Sequence, residues 1–213
     1  MESSSASPQD TAEKLIDAGL LLFGQQGYEA TSTRALAALA QTNIASIAYH
    51  FGSKAGLREA CARALCARLE TAIALPLPGA PLSQAQAVAV LEALLERLVA
   101  FVTSPPESEP GAAFLLRELS APGPVAELLY HGFIAEKHAL LCRLWGAASG
   151  QDAESETTRL SVFALIGQVA YFRVARPFVL ARMGWDAIGP GQAETLLRVL
   201  RGNLHALLDR SRQ

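Results

Sequence analysis

The stretch NIASIAYHFGSK, residues 43–54, sets hydrogen-bonding, aromatic and cationic side chains among small alanines in a helical pattern. A helix that reads DNA buries one face on its own domain and presents small and polar groups to the major groove. Ile47 and Phe51 are four residues apart and predict the buried face. The side chains predicted on the remaining faces are Asn43, Ser46, Tyr49 and His50. The pattern therefore indicates a groove-reading helix.

Lys54 is the last residue of this stretch and lies in the first turn of the next predicted helix. The free backbone N–H groups at a helix N-terminus attract anions, and an ammonium group beside them adds a full positive charge. We expect Lys54 to bind a phosphate oxygen of the DNA backbone.

The elements that position these residues are predicted to be helical, because hydrophobic residues recur at three- and four-residue steps and no alternating β-branched run appears. We therefore predict an all-α fold. Thr31 or Ser32, Asn43 and Ser53 are the predicted caps of the helices around the motif. Ile47 and Phe51 are expected to pack on Leu36 and Leu39. The helices are predicted at about 10–26, 32–40, 43–51, 53–74, 83–102, 111–120, 124–147, 155–175, 177–183 and 190–210.

Composition excludes several classes of protein. The 213 residues are 51% hydrophobic with a formal net charge of -2, so a packed core is expected and a strongly basic DNA-binding surface is not. Three cysteines without metal-site spacing fit a reducing cytoplasm, and the polar N-terminus lacks the features of a signal peptide. The longest apolar run is interrupted by Gln168 and is shorter than a membrane span of about 18–20 residues. We expect a cytoplasmic protein.

The order AEKLIDAGLLLFGQQGYEATSTRALAALAQTNIASIAYHFGSKAGL resembles the N-terminal DNA-binding domain of the TetR family of regulators. The later stretch GQVAYFRVARPFVLARMGW is similar to the C-terminal domain of CecR-like members. The resemblance implies a three-helix domain with a helix-turn-helix at 10–55, after a flexible lead at 1–9. A larger helical effector-binding and dimerisation domain would occupy 56–213.

By this resemblance, one set of side chains holds the sugar-phosphate backbone and a second set faces the bases. The first set is Thr33, Arg34, Tyr49, His50 and Lys54, and the second is Asn43, Ile44, Ala45 and Ser46. Two positions depart from the family pattern. Gln41 stands where glycine is usual, so a residue other than glycine must adopt any left-handed conformation in the turn. Ile44 replaces a polar residue, and it either touches a thymine methyl group or staples the helix entry.

The resemblance also implies a homodimer through the helices at about 155–175 and 190–210, which carry more apolar surface than one buried face needs. The apolar and small residues concerned are Leu160, Phe163, Ala164, Gly167, Ala170, Val174, Leu196, Leu197, Leu200, Leu204 and Leu207. Gly167 and Ala164 would allow close approach of a partner helix, although packing within the chain explains them equally well.

The helices of the second half have the composition of an apolar pocket with a few polar side chains. The candidate ligand-binding residues are Phe101, Phe114, Arg117, Tyr130, His131, Phe163, Gln168 and Tyr171. We expect a small apolar or aromatic effector that releases a repressor from double-stranded operator DNA.

Other functions have weaker support in the sequence. His131, His138 and Cys142 lie along one predicted helix, but a metal site there lacks clear further ligands. No phosphate-binding loop, nucleophile elbow or HExxH motif is present, so we expect neither an enzyme nor a cofactor. An ordinary small helical bundle, a helical ligand-binding protein without DNA-binding activity, and an all-helical enzyme remain as alternatives.

Overall fold

The computed structural model describes residues 8–74, 81–104, 110–120 and 122–211, and every regular element in them is helical. The all-α prediction is confirmed. The α-helices are α1 (Pro8–Gln26), α2 (Thr33–Leu39), α3 (Ala45–Phe51), α4 (Lys54–Ile73), α5 (Gln84–Thr103), α6 (Pro110–Leu119), α7 (Pro124–Leu129), α8 (Ala135–Ser149), α9 (Glu156–Val174), α10 (Arg176–Met183) and α11 (Pro190–Ser211). Of the predicted lead, Pro8 and Gln9 belong to α1, and residues 1–7 lie outside the described residues.

Serine side chains start several of these helices by accepting a backbone hydrogen bond that the first turn leaves unused. Ser32 Oγ accepts from the N–H of Ala35 at 3.1 Å. Ser53 Oγ accepts from the N–H of Gly56 at 3.0 Å. Of the two caps considered for α2, the structure therefore uses Ser32.

The helix predicted at 124–147 is interrupted in the structure. A π-helical turn, Tyr130–Ile134, separates α7 from α8, and α8 continues to Ser149. A π turn adds one residue to a helical turn without breaking the chain direction, so the hydrophobic period gives little warning of it. The proline-rich stretches LPLPGAPLS and TSPPESEPG, where the sequence predicts breaks between helices, fall largely on residues 75–80 and 105–109, outside the described residues.

The chain forms two compact units. Unit 1 comprises Met1–Leu69 and Pro106–Gly132, and unit 2 comprises Glu70–Pro105 and Phe133–Gln213. Unit 1 thus contains α1 to α3, most of α4, α6 and α7. The domain division after residue 55 stays a prediction, and unit 1 also includes residues beyond that point.

The core of unit 1 forms where α6 packs on α1 with unusually close backbones. A side chain at Gly24 would place its Cβ 2.8 Å from the backbone nitrogen of Phe114, so glycine is required at this crossing. The fully buried rings of Phe23 and Phe114 lie 6.5 Å apart beside it. Cys61 is also buried in unit 1, and burial raises the pKa of its thiol to about 12, so the thiol stays protonated at neutral pH.

The core of unit 2 is formed by α5, α8, α9 and α11 around the fully buried Trp145. Leu196, Leu200 and Leu204 of α11 are buried in this core. Within the described ranges, no single helix is long and apolar enough to cross a membrane, and α9 with α10 reaches that length only across a bend of 74°.

Candidate DNA-binding site

The site is built on α2, a short turn and α3. Leu36 and Ala37 bury one side of α2, and Ile47 is the buried residue of α3, with 2% of its surface exposed. Asn43 Oδ1 accepts a hydrogen bond from the N–H of Ala45 at 2.9 Å, which provides the predicted cap at the entry to α3. Phe51 is half-buried at the other end.

The packing expected for Leu39 is wrong. Leu39 was predicted to face inward against α3, but 47% of its surface is exposed. Ala40, which the same pattern predicts to face inward, is buried, at 4% exposure. Leu36, Ala37 and Ala40 share the buried face of this short helix, and Leu39 projects beyond the edge of that face.

The turn between the two helices has the backbone strain that the sequence predicts. Gln41 has φ = 53°, and in the described part of the chain the other residues with positive φ are glycines. Its N–H donates to Ala38 O at 3.1 Å, and the next N–H, from Thr42, donates to Ala37 O at 2.9 Å. These two bonds hold the left-handed conformation that a side chain disfavours.

The outward face of α3 is open to solvent. Tyr49 is 80% exposed and Ile44 is 46% exposed, while Asn43 and Ala45 are also exposed. The ring of His50 is half-buried, in a T-shaped contact with Tyr49 at 4.8 Å. Of the predicted backbone contacts on α2, Arg34 is exposed and Thr33 is half-buried.

Lys54 has a structural role as well as a position beside α3. Its Nζ donates to Tyr28 O at 2.9 Å and to Thr31 O at 3.0 Å, and it lies 4.1 Å from the centre of the Tyr28 ring. An ammonium group has three hydrogens, so two bonds leave one donor for a phosphate. Lys54 therefore ties the α1–α2 connection to the start of α4.

Two residues of α6 bond to the helices that flank the helix-turn-helix, α1 and α4. Arg117 donates to Gly24 O and to Gln25 O, both at 3.1 Å, at the C-terminal end of α1. Glu118, with 3% of its side chain exposed, accepts two hydrogen bonds from Arg58 at 2.8 and 2.6 Å. These partners are separated by 60 residues or more, so local periodicity carries no signal for them.

The predicted ligand-binding residues in unit 1 are occupied by other contacts. The ring of Phe114 is buried against Phe23, and Arg117 bonds the end of α1. Tyr130 and His131 lie exposed on the π-helical turn, where His131 Nε2 is 3.4 Å from a carboxylate oxygen of Glu127.

In unit 2 the predicted ligand-binding residues are also dispersed. Phe163 is half exposed and stacks on His138 with ring centres 3.9 Å apart. Gln168 Oε1 accepts from Asn203 Nδ2 of α11 at 2.8 Å. Tyr171 is exposed, and Phe101 packs at the edge of the core. Within the described residues, no group of three or more His, Cys, Asp or Glu could hold a metal ion.

The outward face of α9 is uncharged from Leu160 to Val174 and stays exposed in the single chain. Its members are Leu160, Phe163, Ala164, Gly167, Tyr171 and Val174. A Cβ built on Gly167 meets no atom within 4 Å among the described residues, and the same holds for Gly202 on the exposed side of α11. Packing within the described part of the chain therefore does not explain glycine at either position.

The surplus apolar surface expected on α11 is largely absent. Leu196, Leu200 and Leu204 are buried in the core of their own unit, and Leu197 and Leu207 pack at its edge. The exposed side of α11 carries smaller residues, among them Val199, Gly202 and Ala206.

A helix-turn-helix with an exposed second helix, in a fold whose described elements are all helical, is the arrangement of a DNA-binding regulator. Residues 15–61 match the family model described as bacterial regulatory proteins of the tetR family. Residues 87–209 match the model described as the C-terminal domain of the HTH-type transcriptional dual regulator CecR. The chain belongs to the TetR family of transcriptional regulators and carries a CecR-type C-terminal domain.

One relative supports this assignment in sequence, and two solved structures share the fold. The HTH-type transcriptional dual regulator CecR of Shigella flexneri is 30% identical, over 94% of this chain and 92% of its own length. A transcriptional regulator from Pseudomonas aeruginosa PAO1 has a similar fold, with a TM-score of 0.71 and 15% identity over 97% of this chain and 94% of that one. The structure of AibR, solved with isovaleryl coenzyme A and operator DNA, is similar to this chain with a TM-score of 0.66 and 17% identity. The match covers 90% of this chain and 96% of AibR.

Proposed function

We propose that this regulator binds a specific operator as a homodimer and represses transcription until a small apolar or aromatic effector releases it. The observation that carries the proposal is α3, which buries Ile47 and leaves Ala45, Ala48 and Tyr49 exposed to an outside partner. A helix fixed in this way, with Arg34 exposed on α2, has the side chains and the access to enter a major groove.

The second copy is proposed to sit on the uncharged face of α9 and the adjoining side of α11. Exposed side chains such as Leu160 and Val174 are costly in water, and covering them favours association. Gly167 and Gly202 would let the helices of the two copies approach closely. A dimer places two copies of α3 on two half-sites of one operator, which multiplies the contacts with DNA.

The effector is proposed to bind within unit 2, where the indole N–H of the buried Trp145 has no hydrogen-bond partner among the described residues. A buried donor without a partner costs about 1–3 kcal/mol, so a ligand that offers an acceptor there would be stabilised. Among the predicted ligand-binding residues, Phe101 packs at the edge of the same core and supplies an aromatic ring. AibR is a precedent in this fold for a regulator that binds both operator DNA and a small molecule.

Release requires that the effector bind one state of the dimer more tightly than the other, because equal affinity for both states shifts nothing. We propose α4 as the lever, since this continuous helix begins beside α3 at Lys54 and ends in unit 2 at Ile73.

The first experiment is fluorescence anisotropy of the purified protein on DNA from upstream of its own gene, near physiological salt, with scrambled DNA as competitor. Saturable, competitor-resistant binding with two subunits per site supports a sequence-specific dimer. If no preference appears there, a random-sequence selection distinguishes a distant operator from a helical ligand-binding protein that does not bind DNA.

The effector is tested on the protein–operator complex with a panel of small apolar and aromatic compounds. The variant Trp185→Phe isolates the fluorescence of Trp145, so that quenching reports binding near that ring. A compound that quenches Trp145 and lowers operator affinity supports release. A compound that quenches and raises operator affinity would reverse the proposed direction.

A further inference from the structure

The reading surface of α3 is poor in the side chains that usually distinguish bases. Residues 35–53 contain no Asp, Glu, Lys or Arg, so the commonest specific contact, a cation on guanine, is not available from this segment. Base recognition must then come from neutral polar groups or from apolar contacts.

The neutral polar groups of the segment are partly engaged within the protein. Asn43 Oδ1 accepts the N–H of Ala45 at 2.9 Å. The hydroxyl groups of Thr42 and Ser46 are 3.0 Å apart and bond each other. A side-chain group that is already bonded in this way loses part of its capacity to pair with a base edge.

Ile44, in contrast, is an apolar side chain at the entry of α3 with almost half of its surface open, 46%. A hydrophobic staple packs the residue before the capping residue against the fourth residue of the helix, whereas Ile44 follows the capping Asn43. The residue one turn later is Ala48, which is itself exposed. The staple considered from the sequence therefore does not account for Ile44.

In the major groove, the apolar group among the base edges is the C5-methyl group of thymine. We propose that Ile44 is a specificity-determining residue that packs on a thymine methyl group in each operator half-site. This inference rests on the proposed sequence-specific binding and adds the identity of one base pair to it. Ala45, exposed beside Ile44, has a small side chain that allows the helix to approach the base edges closely.

The test uses the full-length protein and an operator obtained by selection from random DNA. Each thymine of a half-site is replaced by deoxyuridine, which lacks only the methyl group, in both half-sites together. Removing one buried methyl contact weakens binding about fourfold. Because the change is made in both half-sites, we expect a loss of operator affinity of roughly tenfold or more at one position. Deoxyuridine at the remaining positions is expected to change affinity much less.

The variant Ile44→Ala tests whether Ile44 is the side chain that contacts the thymine methyl group. It should bind the thymine and deoxyuridine operators equally, because the partner of the methyl group is gone. Leu119→Ala is the matched control, since Leu119 is exposed to the same degree, 45%, but lies on α6. This control should keep the full deoxyuridine penalty.

A second probe separates methyl recognition from hydrogen bonding. With the sensitive thymine changed to cytosine, wild-type protein should regain affinity when that cytosine is replaced by 5-methylcytosine, which carries its methyl group at the same place in the groove. Ile44→Ala should gain nothing from this methylation.

The outcomes are distinguishable. A selection that returns no preferred sequence overturns sequence-specific binding and this inference with it. A selected operator in which no deoxyuridine weakens binding, or in which Ile44→Ala keeps the full penalty, overturns thymine recognition by Ile44 while sequence-specific binding stands.

Discussion

Gln41 shows that a single residue can hold an unfavourable backbone conformation at the centre of a binding motif. At φ = 53° its side chain is crowded by its own backbone. We predict that Gln41→Gly raises the free energy of unfolding by about 0.5–1 kcal/mol, because relief of strain exceeds the extra entropy of glycine in the unfolded chain. Chemical denaturation measures this free energy. The control Gln41→Ala, which keeps a Cβ, should not raise the free energy of unfolding.

The Arg58–Glu118 pair is a second feature of residue scale, because it joins α4 to α6 inside unit 1. We predict that Glu118→Ala lowers the free energy of unfolding by about 2 kcal/mol, since it leaves a partly buried guanidinium group without its carboxylate. Urea denaturation provides the measurement.

The control for this change is Glu59→Ala, which breaks the exposed pair with Arg63 on the same helix. Exposed pairs contribute little, so a loss below about 0.5 kcal/mol is expected. If Glu118→Ala and Glu59→Ala lowered the free energy of unfolding equally, burial of Glu118 would not strengthen its pair with Arg58.

At the scale of elements, α9 is apolar on both sides, since Val162, Leu165 and Val169 fill the core while the opposite face is exposed and uncharged. We predict that Gly167→Glu folds normally, because a Cβ has open space there, but converts the proposed homodimer into a monomer by placing a charge in the proposed interface. Size-exclusion chromatography with light scattering measures the mass.

Ala100→Glu introduces the same charge at an exposed position of α5 and should leave the mass unchanged. If the Gly167→Glu variant forms a dimer with the same dissociation constant as the wild-type protein, the proposed interface on α9 is wrong.

Most helices could be predicted from the sequence, because their caps and hydrophobic period are set by neighbouring residues. Ser32 and Ser53 cap α2 and α4 as local chemistry requires. The packing of α6 on α1 could not be predicted, since it depends on residues such as Arg117 and Gly24 that are far apart in the chain. The π-helical turn was missed because its residues are compatible with an ordinary helix.

At the scale of the whole molecule, a net charge of -2 implies that DNA affinity depends on a few well-placed cations. We predict that Arg34→Ala lowers the slope of log affinity against log salt by about one unit per subunit without changing the free energy of unfolding. Lys54→Ala should lower the slope similarly and should also destabilise the protein, because it releases Tyr28 O and Thr31 O.

Anisotropy titrations over a range of salt concentrations measure these slopes. Arg63→Ala serves as the control, since this exposed cation is paired with Glu59 along α4. An unchanged slope for Lys54→Ala would count against Lys54 as a phosphate contact.

The candidate sites differ in how far the sequence could define them. Residues of the helix-turn-helix are close in the chain, so the exposure of Tyr49 and the burial of Ile47 follow from one helical period. The ligand-binding residues had to be collected from separate helices by composition alone. Their positions in the fold, such as Phe114 deep in unit 1 and Tyr171 on an exposed face, depend on tertiary packing.

The sparse burial of α3 has a consequence for how regulators of this kind diverge. Because Ile47 is the buried residue of this helix, substitutions at its exposed positions cost the fold little. A duplicated gene could therefore acquire a new operator by a few changes in α3 while its product remains stable at every step. Operator preference and foldability are separately adjustable in such a protein, and descendants with the same architecture can come to control unrelated genes.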